Sequence, residues 1–426
     1  MKKRNSIPIV MLCIIFLLCG CTVAQVDDVK NVDALKHPEP EMIKISIKEE
    51  EIPVSTPNLI TIHQEEILQD RYATITSFGD TLCHESVFKD AYDADAGEYD
   101  FSPIFKNVEK YFKEENLNIG NAESPMAGAD RGYSGYPCFN APEHLAIDLS
   151  QLNVDIMTTA NNHCLDKGYS GLEETLNNFD EAKISHVGTS RSKEEQDTIL
   201  FKDLNGIKTA FLSFTYGTNG IAIPDGKEYS VNLINEDLIL EQINRAKEEG
   251  ADLIISSMHW GVEYQTTENS EQDRLAEFLV KNDVKIILGC HPHVLQPMRM
   301  LTLQNDDGEE KEGLVIFSQG NFFSAQTKVN TRNTAIFNIR VKKDAITDKI
   351  TIDEATYIPL YLYDNGNTSK DRYELLDLNE IIRSYDAGEG IWSENLYKLA
   401  LTEQQRCIDT IGPFIQNDTS SEDSFN

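Results

Sequence analysis

The stretch KIILGCHPH (residues 285–293) joins an apolar, strand-like run to a loop in which a proline separates two histidines. Four other runs pass in the same way from apolar residues to an acid or a histidine: ATITSFGD (73–80), LNIGNAE (117–123), VDIMTTANNH (154–163) and DLIISSMH (252–259). In an open α/β sheet the carboxyl ends of parallel strands share one edge, and ligands bind in the crevice there. We therefore expect one site to gather Asp80, Glu123, His163, His259, His291 and His293.

Taken singly, these motifs have ordinary structural interpretations. Gly79-Asp80 is more often a turn than a ligand, and His259 beside Trp260 is equally consistent with a buried packing pair. The combination is more informative, because four of the nine histidines lie at strand ends in apolar surroundings. A buried cluster of imidazoles and carboxylates is costly unless it is hydrogen-bonded or metal-bound. The mixed nitrogen and oxygen donors favour a divalent Mn, Zn or Fe ion over Ca or Mg.

Strand-like and helix-like segments alternate from Tyr72 to about Tyr363, which is typical of an α/β layer fold. The helices are predicted at 102–115, 143–152, 170–182, 234–249 and 271–282. After Asn321 the pattern changes to three consecutive strands, at 334–341, 349–353 and 355–363, which predicts an antiparallel layer or edge. Two further helices are predicted at 371–385 and 393–411.

The amino-terminal residues predict an export signal. Three basic residues precede an apolar core at 7–18, which is too short for a usual membrane-spanning helix. The following LCGC (18–21) is similar to a bacterial lipobox and predicts lipidation of Cys21, with the protein on the extracytoplasmic face of the cell membrane. A retained amino-terminal anchor is the alternative. Residues 22–70 contain eleven acids, four bases and four prolines, a composition that predicts a solvated tether.

The chain is strongly acidic. Removing the signal takes away three basic residues and no acids, which leaves 35 basic against 71 acidic residues and a charge of −36. This charge argues against nucleic acid as a partner. Five cysteines follow Cys21, and an odd number without close pairs is a poor disulfide framework for an exported protein.

Six motifs together carry a family resemblance: GD (79–80), NAESP (121–125), ANNHCLDKGYSGL (160–172), HWGVEY (259–264), GCHPHVLQ (289–296) and SQGNFF (318–323). In this order they resemble the CapA family of poly-γ-glutamate capsule synthesis proteins, a branch of the calcineurin-like metallophosphoesterases. The resemblance implies an α/β fold, a layered α/β/β/α metallophosphoesterase-like sandwich with C-terminal helices. The expected segments are a lipoprotein signal peptide (1–20), an acidic tether (21–71), a CapA-like domain (72–363), a C-terminal helical extension (364–416) and a disordered tail (417–426).

The resemblance also implies roles for particular residues. The metal ligands would be Asp80, His84, Glu123, Asn162, His259, His291 and His293. The catalytic group would comprise His163 as general acid, Asp166 and Glu263. The substrate contacts would come from Asn121, Asn161, Trp260 and Asn321.

Two departures from the superfamily pattern leave an alternative open. The first motif usually has a histidine two residues after the aspartate, whereas His84 lies four residues after Asp80. Cys164 also stands where a carboxylate usually follows the Asn-His pair, and Asp166 comes later. One tight and one weak metal site is therefore the alternative to a complete two-metal centre. For Glu263 and Asn321 a turn or capping role is the alternative.

The function expected first is that of a membrane-tethered, extracytoplasmic CapA-like protein in poly-γ-glutamate synthesis or export. Its expected partners are the membrane through lipidated Cys21, membrane proteins of a polymer synthesis complex, and polyglutamate or a related polymer. The alternatives are a non-catalytic component of such a complex and a metal-dependent phosphoesterase or other hydrolase acting on another envelope substrate. A solute-binding lipoprotein is less consistent with four clustered histidines.

Overall fold

The computed structural model describes residues 69–367 and 370–416, which belong to one unit that spans Glu66–Asn426. The predicted signal, the lipidation site at Cys21, nearly all of the tether and the tail at 417–426 lie outside the described residues. Among the helices of the described ranges, none combines the length and apolarity needed to cross a bilayer.

The strands, in chain order, are β1 (Arg71–Thr81), β2 (Tyr92–Asp93), β3 (Glu98–Tyr99), β4 (Leu117–Asn121), β5 (Ile156–Thr158), β6 (Ser185–Val187), β7 (Leu200–Leu204), β8 (Ile207–Thr215), β9 (Leu253–His259), β10 (Ile286–Cys290), β11 (Met298–Gln304), β12 (Glu310–Ile316), β13 (Asn321–Phe323), β14 (Asn333–Lys343), β15 (Ile350–Asp364), β16 (Tyr373–Asp377) and β17 (Ile415–Gln416).

The α-helices are α1 (Glu85–Asp90), α2 (Ser102–Phe105), α3 (His144–Gln151), α4 (Gly168–Glu181), α5 (Lys193–Asp197), α6 (Glu236–Glu248), α7 (Ser270–Lys281), α8 (Leu378–Asp386) and α9 (Glu394–Ile411).

Two large sheets face each other. The first has the order β16-β15-β14-β1-β4-β5-β6, with β13 beside β1 and β17 beside β15. It is parallel from β1 to β6 and antiparallel from β1 to β16. The second has the order β11-β12-β10-β9-β8-β7 and is parallel across β8, β9, β10 and β12. Parallel neighbours require crossover connections, and the helices supply them.

Alternating strand side chains divide the interior into layers. In β9, Ile255 packs between the sheets, whereas its neighbour Ile254 faces the helices α6 and α7. This period of two is the ordinary consequence of strand geometry. On the outer face of the first sheet, Phe78 of β1 packs with Leu145 of α3 and Phe179 of α4. The result is the predicted α/β/β/α sandwich.

The carboxyl end of β1 is fixed by a close backbone approach at Gly79. A Cβ atom there would lie only 1.9 Å from the carbonyl oxygen of Gly320, so a larger residue would push the two segments apart. The neighbouring Asp80 is in register with Asn121 of β4 and with Asn321 of β13. Three polar side chains from separate strands are thereby brought together.

Three predicted elements differ from the structure. The helix predicted at 102–115 is only α2 followed by a 3₁₀ turn at Glu109–Tyr111. The helix predicted at 371–385 begins with β16, because this stretch pairs with β15, and α8 starts only after its cap, Asp377. The two strands predicted at 349–353 and 355–363 form the single strand β15, which has an irregularity between Ile352 and Glu354. Strand pairing decided the last two cases.

Candidate metal centre

The candidate site lies where the carboxyl ends of both sheets converge. Asp80 lies at the end of β1, and Glu123 follows β4 by two residues. From the second sheet, His259 ends β9, while His291 and His293 follow β10. All five side chains are buried. The shared edge expected from the sequence is therefore formed by two sheets and not by one.

Two groups of three side chains have the spacing of metal ligands. One comprises Glu123, His259 and His291, and the other comprises Asp80, Glu123 and His293. In each group the possible ligand atoms lie within 4.8 Å of one another. Glu123 belongs to both groups: its Oε1 lies 3.5 Å from His259 Nε2, and its Oε2 lies 3.5 Å from His293 Nδ1. This arrangement suits a carboxylate that bridges two ions.

The hydrogen bonding of Glu123 supports this interpretation. Both carboxylate oxygens are buried, and neither has a hydrogen-bond partner in the part of the chain that the structure describes. His291 Nδ1 is buried and unpartnered in the same sense. Buried polar atoms are nearly always paired, because leaving one unpaired costs free energy. Cations between these donors would satisfy them, so the residues present fit a pair of divalent metals.

The electrostatics of the cluster point the same way. Burial raises the pKa of Glu123 to about 8. Burial also opposes ionisation of His293, but the Glu123 and Asp80 carboxylates outweigh it and raise the His293 pKa to about 9. Burial lowers the pKa of His259 to about 3, so this imidazole is neutral and able to act as a ligand.

Several predicted residues orient the ligands. Asn121 Nδ2 donates to Asp80 Oδ1 over 2.7 Å, and the backbone N–H of His291 donates to Asp80 Oδ2 over 3.1 Å. Asn321 Oδ1 lies 3.0 Å from His293 Nδ1, while its Nδ2 donates to the carbonyl of Thr331. Such contacts fix the direction of a ligand and raise metal affinity. Asn121 and Asn321, predicted to contact substrate, are thus placed beside the ligands.

The HPH segment is held in an unusual backbone conformation. His291 has φ of 98° and His293 has φ of 59°, both in a region that side chains other than glycine seldom adopt. Backbone strain of this kind persists where the surroundings over-determine it, and it clusters at functional sites. The strain directs both imidazoles to the same centre.

The predicted general acid lies beside the cluster with a fixed tautomer. His163 Nδ1 is 2.8 Å from Asp166 Oδ2, and that oxygen also accepts the backbone N–H of Phe139 over 2.7 Å. Burial lowers the pKa of His163, but the Asp166 hydrogen bond and Glu123 outweigh it, and the net shift is upward. Asp166 therefore performs the orienting role although Cys164 occupies the usual position.

Asn162 is placed as a possible ligand. Its Oδ1 lies 2.8 Å from His259 Nε2, so both atoms face the same position, and its Nδ2 donates to Asn219 Oδ1 over 3.1 Å. The exposed Glu263 is near enough to affect the pKa values of Glu123 and His293.

Three predicted residues are placed away from the roles assigned to them. His84 belongs to neither ligand group; its Nδ1 lies 3.2 Å from the Leu82 carbonyl and 3.3 Å from the Ala325 N–H. Trp260 is buried in the core and donates to the Phe317 carbonyl.

Asn161 is the third. Its amide is used by the carbonyls of Ala122 and Thr159 and by the N–H of His163. The sequence gives the spacing of His84, Trp260 and Asn161. It does not show that nearby backbone groups hydrogen-bond to their side chains.

Sequence reasoning missed Tyr216, Asn219 and Phe139. The Tyr216 ring lies 4.6 Å from the His291 ring and is stacked on His259, and it is half exposed. The Phe139 ring packs edge-on against His163 at 4.8 Å. Tyr216 directly follows β8, so its place at a strand end was a usable signal. Its residue type is not a usual metal ligand, so the pattern of ligand residues at strand ends does not include it.

The sandwich and the two groups of candidate ligands are the arrangement that the resemblance to calcineurin-like metallophosphoesterases predicted. The family described as "Bacterial capsule synthesis protein PGA_cap" matches residues 74–326, and the chain belongs to that family.

Curated relatives include the "Capsule biosynthesis protein CapA" of Bacillus anthracis. It is 28% identical over 312 residues, which cover 70% of this chain and 71% of the relative. The "PGA biosynthesis protein CapA" of Bacillus subtilis (strain 168) is 30% identical over 272 residues, covering 60% of this chain and 67% of the relative.

Solved structures with a similar fold include the calcineurin-like phosphoesterase YfkN from Bacillus subtilis. It has a TM-score of 0.43 and 14% identity, and the match covers 80% of this chain and 99% of that one. The NAD nucleotidase NadN of Haemophilus influenzae has a TM-score of 0.42 and 14% identity, with 80% of this chain and 61% of that chain covered.

Proposed function

We propose that the protein is a metal-dependent component of poly-γ-glutamate capsule synthesis that acts outside the cytoplasm. One observation carries the chemical part of the proposal: Glu123 is buried, has no hydrogen-bond partner among the described residues, and belongs to both ligand groups. Family membership supports the biological part, since both named relatives are capsule or PGA biosynthesis proteins.

Each of the two ligand groups would hold one divalent ion. Glu123, His259 and His291, with Asn162 near His259, would hold one ion, and Asp80, Glu123 and His293 would hold the other. Mixed imidazole and carboxylate donors favour Mn, Zn or Fe. Bound there, such ions lower the pKa of coordinated water and stabilise charge that develops on oxygen.

Side chains of the protein itself would carry out the proton transfer. Because Asp166 occupies His163 Nδ1, the other ring nitrogen is left for proton transfer to a leaving group. The Phe139 N–H and the Phe139 ring keep the dyad in place. Asn219 Nδ2 lies 3.4 Å from His163 Nδ1, and Asn219 Oδ1 accepts from Asn162 Nδ2, so Asn219 links the dyad to the ligand groups.

Location and partners form part of the proposal. Lipidated Cys21 and the acidic tether would hold the domain at the extracytoplasmic face of the cell membrane, where membrane proteins of a polymer synthesis complex would be its partners. Polyglutamate or a related polymer would be the material handled.

The test combines metal analysis with capsule formation in cells. Full-length protein should contain a transition metal, and His291→Ala should lose both metal and capsule. His144→Ala is the matched control, since His144 lies on α3 and belongs to neither ligand group. If His291→Ala leaves capsule formation intact, the enzymatic role is wrong, and a non-catalytic part in a polymer complex takes its place.

The His163–Asp166 dyad beside the ligand groups favours one second candidate, a phosphoesterase acting on another envelope substrate. Turnover of a generic phosphodiester that is lost in His163→Ala, together with normal capsule in the same variant, would select it. Capsule loss without phosphodiester turnover would exclude it.

A further inference from the structure

Tyr264 and Lys328 lie on the rim of the candidate centre, on the His293 side. The Tyr264 ring is 6.1 Å from the His293 ring, and Lys328 Nζ lies 3.5 Å from the centre of the Tyr264 ring. These distances put the ammonium group within about 10 Å of His293, roughly the length of three extended residues. A ligand held at the centre can therefore reach Lys328.

Lys328 is an unpaired cation among the described residues of this acidic protein. Its side chain is exposed, and it makes no ion pair with any residue in the described ranges, although acids outnumber bases by 71 to 38. Most exposed cations in the described ranges are paired, as Arg299 is with Glu268. The contact of Lys328 is with the face of an aromatic ring, which holds an ammonium group without neutralising it.

The backbone that carries Lys328 is fixed and connected to the centre. Thr331 bonds to the Lys328 carbonyl through both its N–H and its hydroxyl. In the same segment, Gln326 Nε2 donates to the Tyr264 hydroxyl over 3.4 Å, and Gln326 Oε1 accepts from Asn321. Asn321 in turn contacts His293. The segment that carries Lys328 therefore also contacts Asn321, the residue that orients His293.

We propose that Lys328 and Tyr264 form an anion subsite that binds a carboxylate of an acidic, chain-like substrate while a neighbouring part of that chain lies at the metal centre. This inference rests on the proposed function and adds a residue-level basis for substrate selection. It also bears on the handling of a polyanion by a protein of net charge −33, because Lys328 supplies a local cation on a rim that also carries the Glu263 carboxylate, which hydrogen-bonds to Tyr264.

The test measures binding of a fluorescent, γ-linked glutamate decamer to full-length, Mn-loaded protein by anisotropy at low salt. We expect Lys328→Ala to weaken binding roughly threefold, within the range for an exposed charge pair, and Lys328→Glu roughly tenfold, because it also adds a repulsive charge. The differences should shrink at high salt, because exposed charges are screened. Metal content should be unchanged in both variants.

Lys349→Glu is the matched control, because it makes the same change of charge at an exposed lysine. Lys349 lies between β14 and β15, and this end of β14 pairs with the start of β1, away from Asp80. The control should bind the decamer as the natural protein does. Equal weakening in Lys328→Glu and Lys349→Glu would overturn the subsite and leave a general charge effect.

Binding of inorganic phosphate is measured in parallel, to distinguish a carboxylate from a phosphate as the anion that the subsite binds. If Lys328→Glu weakens phosphate binding but not decamer binding, the carboxylate subsite is wrong and the rim serves a phosphoester. If the natural protein does not bind the decamer, the subsite is also wrong. The proposed function is judged separately, by the metal content and capsule phenotype of His291→Ala.

Discussion

The sandwich treats Glu123, at the carboxyl ends of the strands, in the opposite way to Asp155 and Asp252 at the amino ends. At the amino ends of the strands, Asp155 accepts the N–H of Asn118 over 2.8 Å, and Asp252 accepts the Lys208 N–H and the Lys343 ammonium. At the carboxyl ends, Glu123 accepts nothing from any described residue. The fold can therefore satisfy its own acids where they serve stability. A buried acid left unsatisfied by the same fold marks the place where a ligand completes the structure.

The largest expected effect comes from changing Glu123 itself. Glu123→Gln keeps the shape of the side chain but removes the charge shared by both ligand groups. We expect metal affinity to fall by more than roughly 100-fold, because even a partner that only orients a ligand is worth 10- to 100-fold. Metal content after dialysis and the thermal shift on adding Mn report the loss. A variant that retained both ions would show that Glu123 does not bridge them.

The next effect concerns an orienting residue. Asn321→Ala frees the His293 imidazole that Asn321 holds, and metal affinity should fall roughly 10- to 100-fold. Asn118→Ala removes an equally buried amide at the opposite end, where it bonds to the Lys113 and Asn153 carbonyls. This control should reduce the free energy of unfolding without changing metal affinity. Equal metal affinity in the two variants would contradict the orienting role.

The third prediction concerns the protons that Glu123 and His293 would release when a metal binds. Without metal, burial raises the pKa of Glu123, and the Glu123 and Asp80 carboxylates raise that of His293 despite burial, so this pair holds at least one proton at neutral pH. A metal requires both deprotonated; its affinity should rise roughly tenfold per pH unit for each proton displaced up to about pH 8. Calorimetry in buffers of different ionisation enthalpy counts the protons. An affinity that stays constant with pH would contradict this account.

The smallest effect lies at the other end. Asp155→Asn weakens the bond to the Asn118 N–H and should lower the free energy of unfolding by about 1 kcal/mol. Denaturant unfolding with and without Mn measures it, and metal content should be unchanged. If Asp155→Asn lost metal, the two ends of the sandwich would not be functionally separate.

Most of the candidate site was predictable, because a strand that ends in a ligand residue is a local pattern. Asp80, Glu123, His259, His291 and His293 were all expected to meet, and the structure brings them together. His84 was placed among them by resemblance alone, and the Leu82 and Ala325 backbone contacts keep it outside. The prediction of a helix over β16 was wrong for a related reason, since pairing with β15 overrides the local preference for a helix.

The sequence by itself determined the layered α/β class and the ligand residues, because strand periodicity and strand-end chemistry are written in consecutive residues. Only the tertiary structure decided that two sheets supply the ligands, that Glu123 is common to both groups, and that Lys328 lies over Tyr264 beside His293. These features depend on how one sheet packs against the other and on contacts between residues far apart in the chain. Local sequence patterns do not encode such distances.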